Sequence, residues 1–338
     1  MSRLTKQTGR AGRTEQAGQT GRADQAGRAG RASGAYAPPV PARELTAVSA
    51  DGARLHVEVH GAVDDPAAPA VVLAHGWTCS TAFWAAQIRD LAADHRVIVY
   101  DQRGHGRSPA NPACSTDALA DDLEAVLAAT LAPGEKAVLA GHSMGGMTLM
   151  AASGRAGFRE HAAAVLLCST GSSRLVAESL VVPMRAGGAR TWLTKRILGS
   201  RAPLGPVTPL ARRILKYGTM GPGSAPEVVD ACARIVHACP RRVRYSWSQV
   251  LDLLDLDHAV RELTVPTEVV VGTADRLTPA VHARSLVAAL PHCVGSTELP
   301  GIGHMTPMEA PDLITARIRA LVTAYATSGA EEANKEGV

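Results

Sequence analysis

Residues 137–146 of the chain, AVLAGHSMGG, join a short apolar run to a serine that lies between two glycines. The run Ala137–Ala140 has the length of a buried strand, and the pattern from Met144 onward is helical. The flanking glycines permit a tight turn that lifts the hydroxyl of Ser143 out of a sheet. The N-terminus of the following helix offers unpaired amide donors and a dipole that favours developing negative charge. The stretch therefore predicts a nucleophilic serine between a strand and a helix.

Short apolar runs alternate with helical patterns along most of the chain. Four runs have the length of buried parallel strands and lie at Ala70–Ala74, Val97–Tyr100, Ala137–Ala140 and Ala164–Cys168. Two more strands are predicted at Thr267–Val271 and Gly295–Leu299. The helical patterns lie at Ala82–Ala93, Thr116–Leu131, Met144–Gly154, Pro279–Leu290 and Ala310–Tyr325. Ahead of them, the runs Leu45–Ser49 and Arg54–His60 flank an Asp-Gly turn and predict a β-hairpin. The alternation predicts an α/β fold with a doubly wound, mostly parallel sheet.

Two kinds of segment depart from this alternation. Residues 171–262 contain about five short helical patterns separated by glycine and proline, which predicts a helical cap inserted into a core of residues 42–170 and 263–328. Residues 1–41 repeat Gly, Arg, Ala, Gln and Thr, and such a composition cannot bury enough surface to offset the entropy of ordering. We therefore expect a disordered tail over residues 1–41 and a second one over residues 329–338.

Composition and charge exclude several classes of protein. The chain of 338 residues has a formal net charge of +4, but residues 1–36 contain seven basic and two acidic side chains. The remainder is close to neutral, so the folded body has no electrostatic basis for binding nucleic acid. No apolar run approaches the roughly 20 residues that cross a bilayer, so no membrane span is expected. The six cysteines are scattered without metal-like spacing, which predicts reduced thiols, no metal site and a cytoplasmic location.

A serine hydroxyl needs a base, and the base needs a group that orients it. His304 directly follows the last predicted strand, and Asp275 follows the strand before it. Both side chains should therefore emerge at the same sheet edge as Ser143. The chain order serine, acid, histidine is one of the orders known for this chemistry. His282 and His292 flank a predicted helix instead, and we expect both to be exposed.

Other polar residues fit the predicted site less well. His142 precedes the serine in a tight turn, where alternate directions diverge, so its side chain should point away from the site. Asp252, Asp255 and Asp257 lie within or after a cap helix and predict a solvated face or a helix end. The loop at residues 169–173 contains no carboxylate. Asp275 is therefore favoured by elimination as well as by position.

Acyl transfer also needs two donors aimed at the developing oxyanion. The amide of Met144, directly after the serine, is one candidate. The amide of Trp77, in the His-Gly-Trp loop after the run Ala70–Ala74, is the other, and its indole can at the same time pack under the cap. We further hypothesise that Met144, Met147 and Met305 line an adaptable apolar pocket for the substrate. Met147 could equally be buried in the packing of its helix.

Taken together, these sequence blocks resemble the α/β-hydrolase fold family over about residues 45–327. The blocks occur in the order of that family and are HGW at 75–77, DQRGHGRS at 101–108, GHSMGG at 141–146, GTAD at 272–275 and GH at 303–304, with Glu309 and Pro311 downstream. The resemblance is specific for the fold and much less so for the substrate.

The resemblance implies a role for each residue of the predicted site. It implies Ser143 as the nucleophile, His304 as the base and Asp275 as the partner of the base. It also implies Trp77 and Met144 as the oxyanion donors. No cofactor is implied, and the block at 101–108 is usually a structural element in this family.

The resemblance leaves several branches of the family open. The serine differs from the aspartate of the epoxide hydrolase and haloalkane dehalogenase branches. HGW at 75–77 also resembles the cofactor-free haloperoxidase or perhydrolase branch, although Thr78 stands where that branch often has proline. The large helical insertion is more similar to the esterase, lipase and C–C bond hydrolase branches. We therefore expect a serine hydrolase that cleaves a small apolar carboxylic ester, with a C–C bond hydrolase, a perhydrolase or a ligand receptor as alternatives.

Overall fold

The computed structural model describes residues 36–63, 65 and 67–326, and an eight-stranded sheet runs through them. The strands are β1 Arg43–Val48, β2 Arg54–Gly61, β3 Ala70–Ala74, β4 Arg96–Tyr100, β5 Ala137–His142, β6 Ala162–Cys168, β7 Thr267–Gly272 and β8 Cys293–Leu299. Their order in the sheet is β1-β2-β4-β3-β5-β6-β7-β8. The pairs β1–β2 and β2–β4 are antiparallel, and the others are parallel. The predicted hairpin and the mostly parallel sheet are confirmed.

Helices cover both faces of this sheet. They are α1 Ala85–Leu91, α2 Thr116–Thr130, α3 Met144–Ala152, α4 Ala156–His161, α5 Leu175–Glu178, α6 Gly188–Leu198, α7 Pro209–Thr219, α8 Pro226–Ala238, α9 Arg241–Asp252, α10 Asp257–Glu262, α11 Ala280–Ala289, α12 Thr306–Glu309 and α13 Pro311–Tyr325. The sequence did not predict α4 and α12, since helices of six and four residues leave too little periodicity to detect. None of the helices that the structure describes is long and apolar enough to span a lipid bilayer.

Strand β3 shows why the parallel strands are apolar throughout. Val72 packs in one hydrophobic cluster with Leu123 of α2, whereas Val71 and Leu73 pack in a second cluster with Ile318 of α13. Successive side chains of a strand point to opposite faces, and helices cover both faces here. All five residues of β3 are therefore buried, and no polar alternation remains in its sequence.

Six helices, α5–α10, lie between β6 and β7, where the sequence predicted a cap of about five. Within residues 171–262, all of which the structure describes, one isolated bridge pairs Ser173 with Asp255 and no strand forms. Helix α9 joins this segment to the loop after β4, since the indole of Trp247 donates to the carbonyl of Arg103 at 3.3 Å. The all-helical character of the insertion is as expected, and its status as a separate domain stays a prediction.

The predicted tails fall mostly outside the described residues, which exclude residues 1–35 and 327–338. Tyr36 and Ala37 are described and contact the body of the protein. The Arg89 guanidinium donates to the carbonyl of Ala37 at 3.0 Å, and Tyr36 packs against one of the hydrophobic clusters. Contacts with the body thus begin ahead of β1, and the two tails stay predictions.

The six cysteines are all described, and none is paired in a disulfide. Burial raises the pKa of Cys232 and that of Cys239 to about 12. These thiols are therefore neutral at physiological pH and pack as small apolar groups.

Candidate active site

Ser143 lies at the sharp turn between β5 and α3. Its backbone angles, φ 51° and ψ −115°, fall in a region that L-residues rarely adopt. Its N–H donates to the carbonyl of Cys168 at 3.0 Å, and its own carbonyl accepts from the Thr170 hydroxyl at 2.8 Å. The end of β6 and the loop after it therefore hold the strained residue in place.

Two glycines flank this turn because the backbone approaches them too closely for a side chain. A Cβ on Gly145 would lie 2.0 Å from the carbonyl oxygen of Ala74, and one on Gly141 would lie 2.6 Å from the backbone of Gly145. These atoms belong to the chain itself and cannot swing aside as the end of a side chain can. The spacing Gly-x-Ser-x-Gly is thus required by the packing of α3 against the end of β3.

Asp275 and His304 form a buried hydrogen-bonded pair. Asp275 Oδ2 lies 2.9 Å from His304 Nδ1, and the two residues are 2% and 3% exposed. Asp275 Oδ1 accepts from the backbone N–H groups of Leu277 at 2.8 Å and Thr278 at 2.9 Å. These bonds orient the carboxylate toward the imidazole. The two residues follow β7 and β8, so they emerge at the same sheet edge as the residue after β5.

The hydroxyl of Thr278 is a part of this site that the sequence analysis missed. Thr278 Oγ1 donates to Asp275 Oδ2 at 2.9 Å and lies 3.1 Å from His304 Nδ1. The position three residues after an aspartate is a common place for a local hydrogen bond. That signal exists in the sequence, but it does not reveal that the hydroxyl also reaches the histidine.

Ser143 and His304 both line a cavity of about 320 Å³. Met147 and Met305 line it as hypothesised. The side chain of Met144 does not line the cavity and is fully buried in the hydrophobic cluster on one face of the sheet, to which Met147 also belongs. The other walls are mostly aliphatic side chains of the α5–α10 segment, including Leu175, Val176, Val181, Ile197, Leu198, Leu215 and Leu251.

The two predicted oxyanion donors are available in this structure. In the part of the chain that is described, neither the N–H of Trp77 nor that of Met144 has a hydrogen-bond acceptor. Met144 begins α3, where backbone N–H groups lack partners within the helix. The indole of Trp77 donates to the carbonyl of Arg244 in α9 at 3.2 Å. The side chain of Trp77 thus packs under the cap segment, as expected.

His142 does not point away from the site, and that expectation is wrong. Its side chain lines the cavity, its ring centroid lies 4.9 Å from that of His304, and its Nε2 lies 2.9 Å from the His304 carbonyl. Burial, followed by the neighbouring His304, lowers the pKa of His142 well below its ordinary value. The expectation assumed that strand alternation continues through the turn, but the positive φ of Ser143 ends that alternation.

The expectations for the other histidines and for the aspartates of the cap are partly confirmed and partly wrong. His282 is 5% exposed, so the expectation of an exposed residue is wrong for it, whereas His292 is exposed. Burial lowers the pKa of His282. Asp255 and Asp257 are exposed as expected, and Asp252 is half-buried and forms an ion pair with a lysine of α6.

One cluster in the described residues has the composition of a metal site. Ligand atoms of Glu44, His56 and Glu58 lie within 4.8 Å of one another. The Arg107 guanidinium lies 2.7 Å from Glu44 and 3.8 Å from Glu58, however. Burial opposes ionisation of Glu58, but hydrogen bonds from His56 and His60 outweigh it and lower its pKa to about 2. The Arg107 guanidinium thus already compensates the negative charge of these carboxylates.

Comparison with known proteins identifies relatives of this chain. A family model described as the alpha/beta hydrolase family matches residues 71–317. A pimeloyl-[acyl-carrier protein] methyl ester esterase from Xylella fastidiosa (strain M12) is 28% identical over 257 residues, 74% of this chain and 94% of that protein. A candidate carbamate hydrolase from Variovorax paradoxus is 45% identical over 96 residues, which spans 28% of this chain and 34% of that protein. An esterase from Rhodococcus sp. ECU1013 shares the fold, with a TM-score of 0.68 at 24% identity over 83% of this chain and 99% of the other.

Proposed function

The chain belongs to the alpha/beta hydrolase family, and on this premise we propose that it is a serine hydrolase that cleaves a small apolar carboxylic ester through an acyl-enzyme. One observation carries the proposal. The strained Ser143 and His304 border the same apolar cavity, and the buried carboxylate of Asp275 is hydrogen-bonded to His304 behind it. Relatives named as esterases support ester hydrolysis as the reaction.

In the first half of the proposed reaction, Ser143 Oγ attacks the acyl carbon while His304 Nε2 accepts the hydroxyl proton. Asp275 accepts the Nδ1–H bond of His304, which selects the tautomer with a free Nε2 lone pair and stabilises the imidazolium that forms. The amides of Trp77 and Met144 donate to the oxyanion, and loss of one such donor typically costs about 2.7–4 kcal/mol.

The second half returns the enzyme to its starting state. His304 passes its proton to the alkoxide leaving group, which departs as the alcohol and leaves the acyl group on Ser143 Oγ. A water molecule then gives a proton to His304 and attacks the acyl carbon. Collapse of this second tetrahedral intermediate releases the carboxylic acid and returns the proton to Ser143.

The walls of the cavity favour an apolar substrate. Its volume of about 320 Å³ is near the lower end of ligand pockets in proteins, about 300–1,000 Å³. Met147 and Met305 offer unbranched, adaptable side chains beside the serine. Esters with short to medium acyl chains are therefore the expected substrates, with long chains excluded by volume.

Labelling with a fluorophosphonate probe, followed by mass mapping of the labelled peptide, tests the proposed nucleophile. The label is expected on Ser143 and absent from the Ser143→Ala variant, whose kcat for p-nitrophenyl esters should fall by at least about 10⁴-fold. Ser172→Ala is the matched control, because the Ser172 hydroxyl donates to Asp257 instead. Label on another residue, or undiminished label in Ser143→Ala, would contradict the proposal.

A substrate panel separates ester hydrolysis from the alternatives on the same residues. The panel contains p-nitrophenyl esters of graded chain length, a diketone cleaved at a C–C bond, and a peroxide-dependent halogenation assay in carboxylic acid buffer. Turnover that is fastest on short and medium esters supports the proposal. Faster turnover of the diketone, or faster halogenation, would replace ester hydrolysis with that reaction as the proposed function.

A further inference from the structure

Helix α7 exposes an apolar stripe that nothing in the described chain covers. It is eleven residues long and contains no buried residue. Leu210, Ile214 and Tyr217 follow one another at helical spacing and are 67%, 64% and 42% exposed. A surface helix ordinarily buries such a stripe against the core. Together with exposed side chains of α6 and the connecting loop it forms what we call the cap face, which consists of Trp192, Ile197, Leu204, Leu210, Ile214 and Tyr217.

The cap face is continuous with the entrance of the candidate active site. Ile197, Leu204 and Ile214 are 48%, 42% and 64% exposed, yet each also lines the cavity that contains Ser143. These three side chains therefore form an apolar rim between the cavity and the surface. Exposed apolar patches of this kind mark contact with a partner or a membrane.

The stretch of chain that contains the cap face, residues 179–226, is basic throughout. Residues 179–226 contain eight lysine and arginine residues and neither aspartate nor glutamate. Lys195 and Arg212 form ion pairs with acids outside the segment. Arg196 and Arg213 are exposed and have no acidic partner among the described residues. The segment therefore combines exposed apolar side chains with uncompensated positive charge.

A second cavity, of about 270 Å³, is lined by other residues of α7. Arg213 and Lys216 reach it from the helix, and Arg276 reaches it from the loop after β7. Lys216 Nζ donates to the carbonyl of Ser224 at 2.8 Å, and the guanidinium of Arg276 lies 4.5 Å from the ring centroid of Tyr217. No carboxylate from the described part of the chain lines this cavity. Three cations around one concave site fit a phosphate group.

We propose that the cap face docks on the surface of an anionic phospholipid bilayer, with a lipid phosphate in the cavity of Arg213, Lys216 and Arg276. Aromatic and aliphatic side chains flanked by lysine and arginine are the composition of segments that lie in the plane of such a surface. A second copy of the chain fits less well. A two-fold symmetric contact would bring this basic segment against the same segment of the partner, and like charges would repel.

The docked orientation would also give the substrate a route to the site, and this route rests on the proposed function. The apolar rim of Ile197, Leu204 and Ile214 would face the bilayer, so an apolar ester would pass from lipid to Ser143 without entering bulk water. Docking itself does not depend on the chemistry of the serine and is measured without turnover.

Sedimentation of the full chain with vesicles tests the docking. We expect binding to vesicles of equal phosphatidylcholine and phosphatidylglycerol, and about tenfold weaker binding to phosphatidylcholine alone or at about 1 M salt, where screening shortens to about 3 Å. The double variant Arg196→Glu/Arg213→Glu should weaken binding by at least about tenfold. Equal binding to vesicles with and without phosphatidylglycerol, or undiminished binding of the double variant, would overturn the proposal.

A matched variant separates the cap face from the basic N-terminal segment. Arg3→Glu/Arg10→Glu makes the same charge change within residues 1–36 and should leave at least half of the binding intact. An equal or larger loss in this variant than in the cap variant would assign the binding to the N-terminal segment. A second pair of variants tests how much the apolar side chains contribute to vesicle binding. Leu210→Ser changes the cap face, and Val48→Ser is its control, since both side chains are exposed and Val48 lies on the edge strand β1.

Tryptophan fluorescence reports the orientation on the vesicle. Trp84 and Trp247 are fully buried, whereas Trp192 is 62% exposed on the cap face. Brominated lipid should therefore quench emission from the wild type, and Trp192→Phe should remove most of that quenching. Undiminished quenching in Trp192→Phe would show that another surface contacts the lipid.

Discussion

Nε2 of His142 lies 2.9 Å from the carbonyl oxygen of His304, so the residue before the candidate nucleophile bonds to the backbone of the candidate base. The two residues are 162 positions apart in the chain. Burial keeps the His142 ring neutral, as its lowered pKa shows, and the neutral tautomer with a proton on Nε2 donates to that carbonyl. Phe83 stacks on the same ring, with centroids 4.5 Å apart.

Replacement of His142 tests this link. His142→Phe retains a ring to pack on Phe83 but leaves the buried carbonyl of His304 without its donor. We expect the free energy of unfolding to fall by about 1–3 kcal/mol, and kcat to fall about tenfold with a smaller change in KM. His142→Gln, whose amide can donate, should recover part of both losses. Equal kcat in the wild type and His142→Phe would exclude a role for this contact.

The Thr278 hydroxyl should position the acid–base pair. Thr278→Val removes the donor to Asp275 Oδ2 at nearly constant volume, while the two backbone donors to Oδ1 remain. A hydrogen bond to a charged group is worth about 1.5–3 kcal/mol, which corresponds to about a tenfold to hundredfold loss in kcat. KM should change little, because the hydroxyl orients the carboxylate and not the substrate. Thr278→Ser keeps the donor and should restore activity; failure to do so would point to a role of the methyl group.

Gly145 should tolerate no side chain. The Cβ of Gly145→Ala would lie 2.0 Å from the carbonyl oxygen of Ala74, so either α3 or the end of β3 must move. We expect a loss of at least about 3 kcal/mol in the free energy of unfolding, measured in urea. Gly218→Ala is the matched control, since a Cβ there meets nothing within 4 Å. That variant should gain up to about 1 kcal/mol from helix propensity, and a loss in Gly218→Ala as large as in Gly145→Ala would contradict the steric account.

Buried histidines should make the protein less stable in acid. Burial, with a smaller effect of His105, lowers the pKa of His75 to about 3, and burial lowers that of His105 to about 4. Between the unfolded value of about 6.5 and these values, only the unfolded state binds the protons. The free energy of unfolding should therefore fall as the pH drops below about 6.5, by up to about 1.4 kcal/mol per pH unit for each histidine.

A buried carboxyl works against this trend. Burial raises the pKa of Asp101 to about 6, so its folded state takes up a proton before the unfolded state does, which favours the fold between about pH 6 and 4. Burial also raises the pKa of Asp122 and that of Glu268, which act in the same direction as Asp101. Their protonation begins only at lower pH than that of the unfolded histidines, so the net change over pH 7 to 5 remains a loss. Urea unfolding at pH 7, 6 and 5 measures the slope, and His105→Gln should make it shallower. A free energy of unfolding that is constant over this range would refute the prediction.

Local sequence signals were enough to predict the strands of the sheet and the order of the candidate catalytic residues along the chain. The apolar runs predicted β3 at its exact bounds and β5 and β6 within a few residues, because strands buried on both faces leave few polar positions. The predicted bounds of β7 and β8 are also within a few residues of the structure, although β8 lies at the edge of the sheet and alternates in exposure. Ser143, Asp275 and His304 were found from their places just after strands, since the ends of parallel strands meet at one sheet edge. The short helices α4 and α12 were missed because one turn carries no periodicity.

Contacts between distant segments were decided by the tertiary structure alone. The sequence by itself determined the fold and the residues at the strand ends, because apolar periodicity and glycine spacing are local properties. The orientation of His142, the second contact of Thr278 and the burial of the Met144 side chain depend on how the turn at Ser143 packs between β3 and the loop after β6. The exposed stripe on α7 was also decided by the tertiary structure. Its apolar pattern is the one that a buried helix has, and only the packed molecule shows which side of the helix faces the solvent.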